Sequence, residues 1–213
     1  MTSTDLPPAD QVVRFGSLDI AYDDSVLTPR TWTEAQSLWA AELARSAPEG
    51  RILELCSGAG HIGLLAVLLS ARPLVCVDAS SVACDYARAN AAAAGIADRV
   101  EVREGRLEEA VRDDERFPVV IADPPWVPAA ETGRFPEDPL TAIDGGGDGL
   151  DVARAVLAVI DRHLAPGGSA VLQLGTTAQV DVLKAEPCLA EGRLTVVEVR
   201  EEERGVLARL DRA

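Results

Sequence analysis

Short apolar segments recur along the chain, and most are followed by a longer segment in which apolar residues return every three or four positions. Apolar runs of about four to eight residues predict strands buried on both faces, and the periodic segments predict amphipathic helices. The predicted strands are residues 51–55, 73–77, 99–103, 119–122 and 169–174, and the predicted helices are residues 61–69, 80–95, 108–112, 150–164 and 177–184. This alternation predicts an α/β fold with a mostly parallel sheet.

The C-terminal end departs from this pattern. Residues 194–199 and 206–210 flank a polar turn, which predicts an antiparallel hairpin. The chain has 213 residues, without internal repeats or a linker, so one domain over residues 1–213 is expected. Within it we expect an N-terminal extension over residues 1–30 and the core over residues 31–213.

The N-terminal segments give weaker signals. Residues 12–20 alternate loosely between apolar and polar positions, which predicts a short strand or an edge hairpin. Thr31 or Thr33 is expected to cap a helix whose buried apolar face runs through Leu38, Trp39, Leu43 and Ala44. Residues 1–10 are polar with two prolines and are expected to fray.

The chain is strongly acidic, with a net charge of −15 and a sequence pI near 4.5. This argues against extended binding to nucleic-acid phosphates, which requires clustered Lys and Arg. The four cysteines form no Cys-x-x-Cys pair and accompany only two histidines, so neither a metal site nor a disulfide framework is expected. No membrane span or signal peptide is predicted, and a reducing cytoplasm is the expected location.

A glycine-containing loop follows the first core strand. Glu54 lies in that strand, and Ser57, Gly58 and Gly60 come directly before the next helix. Glycines allow the backbone to approach a ligand closely, and the helix N-terminus offers unpaired N–H groups. Asp78 ends the next strand, where an acid can accept hydrogen bonds from ribose hydroxyls. The spacing therefore predicts a nucleotide-type site.

The strand at residues 119–122 ends in Asp123-Pro124-Pro125-Trp126. Proline cannot continue the hydrogen-bonded ladder, so the chain must leave the sheet here. An acid at the carboxyl end of a buried strand lies where open α/β sheets bind ligands. The segment matches the (Asp/Asn/Ser)-Pro-Pro-(aromatic) signature of methyltransferases that use S-adenosylmethionine and act on planar nitrogen.

Within that group, the sequence resembles the glutamine-side-chain N-methyltransferases that modify peptide chain release factors. Pro29, Arg30, Thr33 and Glu34 match the family's PRPxTE motif, and residues 138–150 follow its EP..AL.GG.DGL segment closely. The resemblance implies a Rossmann-like class I sheet of seven strands, mostly parallel, and S-adenosylmethionine as cofactor. The cofactor-binding residues expected from the motifs and the resemblance are Thr33, Glu54, Ser57, Gly58, Gly60, Asp78, Arg106 and Asp123.

Some features differ from the family. The family carries Asn-Pro-Pro-Tyr where this chain has Asp-Pro-Pro-Trp, and Arg106 replaces an acid common after the third strand. The helical docking domain of bacterial members is expected to be absent. Members of this length usually act with a small partner subunit, so the resemblance implies that such a partner is possible here.

Chemistry at this motif depends on hydrogen-bond acceptors beside the acceptor nitrogen. The side chain of Asp123 and the backbone carbonyl of Pro124 are expected to accept its N–H groups, held in place by the stiff double proline. Trp126 is expected to stack on a planar acceptor or to face the cationic sulfonium. Because ionised Asp only accepts, whereas Asn also donates, a glutamine-like amide, a small molecule and an exocyclic base amine all stay open as acceptors. The acidic charge favours a protein or small-molecule acceptor over nucleic acid.

Three further expectations concern residues around these motifs. Residues 128–139 lack periodicity, so we expect a mobile loop that forms part of the acceptor pocket. Asn90 is interpreted as a local hydrogen-bonding residue. His61 and His163 fall in predicted helices and are interpreted as structural or surface residues rather than bases.

Overall fold

The computed structural model describes residues 11–212, so the expectation for residues 1–10 lies outside the described part. The strands are β1 Gln11–Phe15, β2 Leu18–Tyr22, β3 Ile52–Leu55, β4 Leu74–Asp78, β5 Val100–Glu104, β6 Phe117–Ala122, β7 Leu164–Leu174, β8 Leu194–Glu201 and β9 Val206–Arg212. The helices are α1 Glu34–Ser46, α2 His61–Ser70, α3 Ser81–Ala93, α4 Leu107–Ala110, α5 Leu140–Ile143, α6 Asp151–His163, α7 Thr177–Leu183 and α8 Pro187–Ala190.

Seven strands form one sheet in the order β5-β4-β3-β6-β7-β9-β8. The pairs from β5 to β7 are parallel, and β9 runs antiparallel to both of its neighbours. The predicted α/β class, the mostly parallel seven-stranded sheet and the C-terminal hairpin are therefore confirmed. The strand order reverses between β3 and β6, and ligands of open α/β sheets bind outside the carboxyl ends of strands at such a point.

Alternate residues of each central strand pack on opposite faces of the sheet, and this builds two cores. Ile52 faces α1, α2 and α3, whereas Leu53 faces α6 and the smaller helices after β7. All four residues of β3 and all six of β6 are buried. Burial on both sides explains why these strands read as nearly uninterrupted apolar runs.

Residues expected to form an N-terminal extension contribute to the core. β1 and β2 form an antiparallel hairpin, and Phe15, Ile20 and Tyr22 are buried against the α2–α3 face. Asn90 of α3 holds the hairpin, since its Oδ1 accepts the N–H of Ala21 and its Nδ2 donates to the Ala21 carbonyl. Asn90 is therefore a structural hydrogen-bonding residue as expected, but its partner Ala21 is 69 positions away, so its role is not local.

Three local predictions were wrong. Leu38 is 56% exposed, although the other residues predicted on the apolar face of α1, Trp39, Leu43 and Ala44, are buried. Thr33 precedes α1 but makes no side-chain cap, since its hydroxyl donates to the Arg30 carbonyl. Residues 128–139 are not wholly irregular, because Ala129–Arg134 forms a 3-10 helix.

No helix within residues 11–212 is both long and apolar enough to cross a bilayer.

Candidate active site

Two adjoining cavities open at the carboxyl edge of the sheet, where β3, β4 and β6 end. We call them the glycine-loop cavity, of about 290 Å³, which contains Ser57, Gly58 and Asp78, and the tryptophan cavity, of about 130 Å³, which contains Trp32, Trp126 and Phe135. Residues that line both are Leu27, His61, Asp123, Pro125 and Ala142. The two cavities therefore meet at Asp123.

The glycine-loop cavity is shaped by the turn after β3. Gly58 has a φ of +52°, which favours glycine, and a Cβ there would point into open space. Asp78 at the end of β4 braces this turn, because its Oδ2 accepts the Gly58 N–H at 2.8 Å and its Oδ1 accepts the Ser80 N–H at 2.9 Å. The Ser57 hydroxyl is buried and has no hydrogen-bond partner among the residues described. A polar ligand group at this wall would satisfy it.

Glu54 lies beneath the loop and does not line either cavity. Its Oε1 accepts the Gly63 N–H at 2.8 Å, and its Oε2 accepts the Cys76 thiol at 3.2 Å. A Cβ at Gly63 would overlap Glu54 Oε2, so glycine is required for this approach. Burial, opposed by the hydrogen bond from Gly63, raises the pKa of Glu54 to about 8. Glu54 therefore supports the turn from beneath, and its predicted contact with the cofactor stays a prediction.

Asp123 follows β6 and stands beside Cys56, because Leu55 and Ala122 are paired in the sheet. No hydrogen bond to its carboxylate is found among residues 11–212, and burial raises its pKa to about 7. Gln36 of α1 fixes the preceding backbone, since its Nε2 donates to the carbonyls of Ala122 and Val171 at 2.9 and 3.0 Å. An acid without a protein partner is free to accept from a bound molecule.

The glycine-rich segment before α6 holds the Pro-Pro-Trp loop. Val127 accepts the Gly145 N–H through its carbonyl at 2.9 Å, and Ala129 donates to the Gly146 carbonyl at 2.8 Å. Gly149 has a φ of +79°, and a Cβ there would clash with the Trp126 carbonyl. That carbonyl also accepts the Gln179 side-chain amide at 2.9 Å. The segment that resembles the glutamine N-methyltransferases most closely therefore supports the loop from behind.

Aromatic rings dominate the tryptophan cavity. The chain has eight aromatic residues of the Phe, Trp and Tyr types, and Trp32, Trp126 and Phe135 all line this one recess. The Trp126 ring packs on Gly175, where a Cβ would overlap ring carbon Cε3. Trp126 lines the tryptophan cavity and does not line the glycine-loop cavity. Flat walls of this kind suit a narrow planar group.

An ion pair closes one side of the tryptophan cavity. Arg30 Nη2 lies 2.5 Å from Asp138 Oδ1, and the Asp138 side chain is only 9% exposed. The pair joins two segments that are 108 positions apart in the sequence. Both residues belong to motifs shared with the resembled family, so the structure brings these motifs together beside Asp123.

The site residues predicted from the sequence are divided between the two cavities. Ser57, Gly58 and Asp78 line the glycine-loop cavity; Thr33, Pro124 and Trp126 line the tryptophan cavity; and Asp123 lines both. Gly60 is buried with a φ of +81° and precedes α2, and Arg106 is exposed at the start of α4; neither lines a cavity.

Sequence reasoning missed His61 and Gln36. Both are buried, and His61 lines both cavities. Its position directly after the glycine loop was the available signal, because side chains at the start of that helix lie near the ligand edge of the sheet. No signal in the sequence pointed to Gln36, since its role depends on the packing of α1 across two strands.

Comparison with known families and curated proteins gives consistent matches. The family described as methyltransferase small domain matches residues 20–137. A release factor glutamine methyltransferase of Gloeobacter violaceus is 34% identical over 163 residues, which cover 74% of this chain and 57% of that protein. A ribosomal protein uL3 glutamine methyltransferase of Bordetella pertussis is 37% identical over 132 residues, covering 59% of this chain and 43% of that one. The chain thus spans little more than half the length of the release factor relatives.

Solved structures with low sequence identity share the fold. The catalytic domain of hMettl16, in complex with a MAT2A 3′UTR hairpin, superposes with a TM-score of 0.71 at 16% identity, covering 92% of this chain and 75% of that one. A ribosomal protein L11 methylase from Lactobacillus delbrueckii subsp. bulgaricus gives a TM-score of 0.63 at 18% identity, covering 89% and 83%. The fold is that of the class I methyltransferases, and with more than half of its residues matched, this chain belongs to the methyltransferase small domain family.

Proposed function

We propose that the protein is an S-adenosylmethionine-dependent N-methyltransferase whose acceptor is a glutamine-like side-chain amide of a protein. The observation that carries this proposal is the meeting of two cavities at Asp123, with the glycine loop and Asp78 on one side and the aromatic walls on the other. A methyl transfer requires two molecules to be held end to end, and this arrangement provides two chambers with one shared wall.

The glycine-loop cavity fits the cofactor. Asp78 is at the end of β4, where its carboxylate oxygens have lone pairs left for ribose hydroxyls after accepting from Gly58 and Ser80. The unpaired Ser57 hydroxyl and the apolar side chains of Val26 and Leu107 would contact its polar and adenine parts. When bound, S-adenosylmethionine supplies a methyl group on a sulfonium, which is already electrophilic. The protein therefore has to align the acceptor rather than activate the methyl group.

Asp123 and the carbonyl of Pro124 would align the acceptor nitrogen. An amide nitrogen is a poor nucleophile because its lone pair is delocalised into the carbonyl. Two acceptors on its N–H groups favour pyramidalisation and direct the lone pair toward the methyl carbon. The new N–C bond forms as the methyl–sulfur bond breaks, with the electron pair going to sulfur. The proton left on nitrogen is hydrogen-bonded to Asp123 and departs to it or to solvent.

Names of the relatives support a protein acceptor. The Gloeobacter and Bordetella proteins are named for glutamine methylation of a release factor and of a ribosomal protein. The charge of this chain agrees, and two arginines at the β5 edge of the sheet are engaged: Arg103 and Arg51 both bind Glu115, at 2.7 and 2.5 Å. Their pairing lowers the pKa of Glu115 to about 2 through the hydrogen bonds from Arg103. A continuous basic face for nucleic acid is therefore not favoured.

All four cysteines are unpaired thiols, which supports the proposal of a reducing, cytoplasmic location. A small partner subunit stays a prediction.

The experiment is transfer of labelled methyl groups from S-adenosylmethionine into a fractionated cell lysate. The protein fraction should be labelled, and the label should reside on a side-chain amide nitrogen. The Asp123→Ala variant is the matched control and should label nothing above background. Label in RNA or in small molecules alone would contradict a protein acceptor.

A further inference from the structure

His61 occupies the boundary between the two cavities. It is the first residue of α2, it is only 9% exposed, and it lines both cavities together with Asp123. Its ring is fixed edge-on against Phe15, with centroids 4.9 Å apart and planes at 88°. A ring held this way presents one defined edge to whatever binds beside Asp123.

The His61 imidazole is neutral at physiological pH. Burial lowers its pKa to about 3. The positive end of the α2 dipole acts in the same direction, because His61 is at the helix N-terminus. A ring with so low a pKa is a poor general base, so its contribution has to come from hydrogen bonding. A neutral imidazole has one N–H donor and one lone-pair acceptor.

The buried nitrogen of the ring identifies the donor. Nδ1 is buried and has no hydrogen-bond partner within residues 11–212. Orphaned N–H groups in protein interiors are rarer than orphaned lone pairs, because an unmet donor costs its full desolvation penalty. The proton is therefore placed on Nε2. Because Nδ1 is enclosed, a hydrogen bond to a bound molecule would also be made through Nε2.

Ionised Asp123 can satisfy the N–H groups of a bound primary amide but not its carbonyl oxygen. A primary amide requires acceptors for its N–H groups and a donor for its carbonyl oxygen. With its pKa raised to about 7, Asp123 is only partly ionised near neutral pH; its ionised form, which would hold the N–H groups, can only accept, whereas the Asn that the resembled family carries at this position both accepts and donates. The structure thus places an acceptor and a neutral N–H donor on the wall shared by the two cavities.

We propose that His61 positions the acceptor by donating a hydrogen bond from Nε2–H to its amide carbonyl oxygen, and so supplies the donor that Asp123 lacks. This inference rests on the proposed function. A hydrogen bond from His61 would make the site selective for substrates in which the nitrogen to be methylated and a carbonyl-type oxygen or ring nitrogen are bonded to the same carbon. Simple alkyl amines would be disfavoured.

The first test is a double-mutant cycle between His61 and Asp123. His61→Phe keeps a ring against Phe15 and removes the donor. With purified bacterial release factor or uL3 as acceptor, His61→Phe should raise KM about ten-fold, the effect of losing one hydrogen bond to a buried partner, with kcat within a few-fold. In an Asp123→Asn background the same change should have a clearly smaller effect, because the Asn amide can donate instead.

Calorimetry with S-adenosylhomocysteine separates this role from cofactor binding. His61→Phe should bind it as the wild type does. An unchanged KM, an equal effect in both backgrounds, or a loss confined to S-adenosylhomocysteine affinity would overturn the proposal. Failure of the proposed function would appear differently, as absence of protein labelling by the wild type.

The second test requires no acceptor. The chain has only two histidines, and His163 Nδ1 lies 3.1 Å from the Glu115 carbonyl, so that nitrogen must donate. Nitrogen-15 NMR of labelled protein at pH 7 should therefore show opposite tautomers: Nδ1–H for His163 and Nε2–H for His61. The His61→Phe spectrum assigns the signals. An Nδ1–H or doubly protonated His61 would overturn the proposal.

Discussion

The two cavities are built in different ways, although they share a wall. The glycine-loop cavity includes the turns that follow β3 and β4 along with residues from other segments between Ser25 and Val152, and its central acid, Asp78, is hydrogen-bonded to the loop that it faces. The tryptophan cavity draws on segments from Leu27 to Arg204, joined by the Arg30–Asp138 ion pair. Its central acid, Asp123, has no hydrogen-bond partner among the described residues.

This difference indicates a division of labour. A site braced by its own backbone is preorganised for one constant ligand, as a cofactor is. Residues that line a recess assembled from distant segments can be substituted without altering the sheet. Specificity for an acceptor would therefore vary in such a recess. Variants in the glycine-loop cavity should therefore change affinity for the cofactor, and variants in the tryptophan cavity should change turnover or KM for the acceptor.

The largest expected effect is on turnover, from Asp123→Ala. Removing one preorganised partner of the reacting nitrogen typically costs about 10²–10³-fold in rate. Affinity for S-adenosylhomocysteine should stay nearly unchanged, because Asp123 acts on the acceptor side of the boundary. Single-turnover kinetics and calorimetry on the same preparation check both statements. Wild-type turnover in the variant would leave Asp123 as a strand-terminating residue only.

The next effect is on cofactor affinity, from Asp78→Ala. Loss of charge-assisted hydrogen bonds to ribose should weaken S-adenosylhomocysteine binding by roughly 1–3 kcal/mol. Asp85→Ala, in the exposed pair with Arg88 on the next helix, is the matched control and should bind normally. If calorimetry finds equal affinities for Asp78→Ala and the control, Asp78 is not part of the site.

Glu54 should affect the stability of the protein rather than ligand binding. Its raised pKa sets the direction in which stability changes with pH. The folded-state pKa of about 8 exceeds the ordinary value of 4.5 for a Glu carboxyl, so the stabilising contribution is complete below about 4.5 and is lost as pH rises through about 8. Relative to Glu54→Gln, the wild type should therefore lose about 4 kcal/mol between pH 5 and 9. Urea unfolding of both proteins measures this, and parallel pH curves would refute it.

The smallest effect is expected from Arg30→Met, which breaks the ion pair with Asp138 but keeps a side chain of similar length. Because Asp138 is nearly enclosed, the loop that carries Phe135 should lose its anchor, and KM for the acceptor should rise roughly three- to ten-fold, in keeping with a partly buried pair. Arg134→Met, in an exposed pair, is the control. A rise in KM for S-adenosylmethionine instead would contradict the separation of the cavities.

The glycine-loop cavity could be predicted from the sequence, and much of the tryptophan cavity could not. Apolar strands that each end in an acid place Asp78 and Asp123 at one edge of the sheet. By contrast, the contact between Arg30 and Asp138 depends on how distant segments fold over that edge. The place of His61 on both cavity walls could not be predicted, because its packing against Phe15 of the N-terminal hairpin does not show in a local pattern. Leu38 was misplaced because both faces of α1 carry apolar residues.

The division of the site is tested most directly by a crystal structure of the protein with S-adenosylhomocysteine. The account predicts the ribose on Asp78, the sulfur directed at the wall formed by Asp123 and His61, and a tryptophan cavity left open for the acceptor. Density for S-adenosylhomocysteine between Trp32, Trp126 and Phe135, with Asp78 uncontacted, would contradict it.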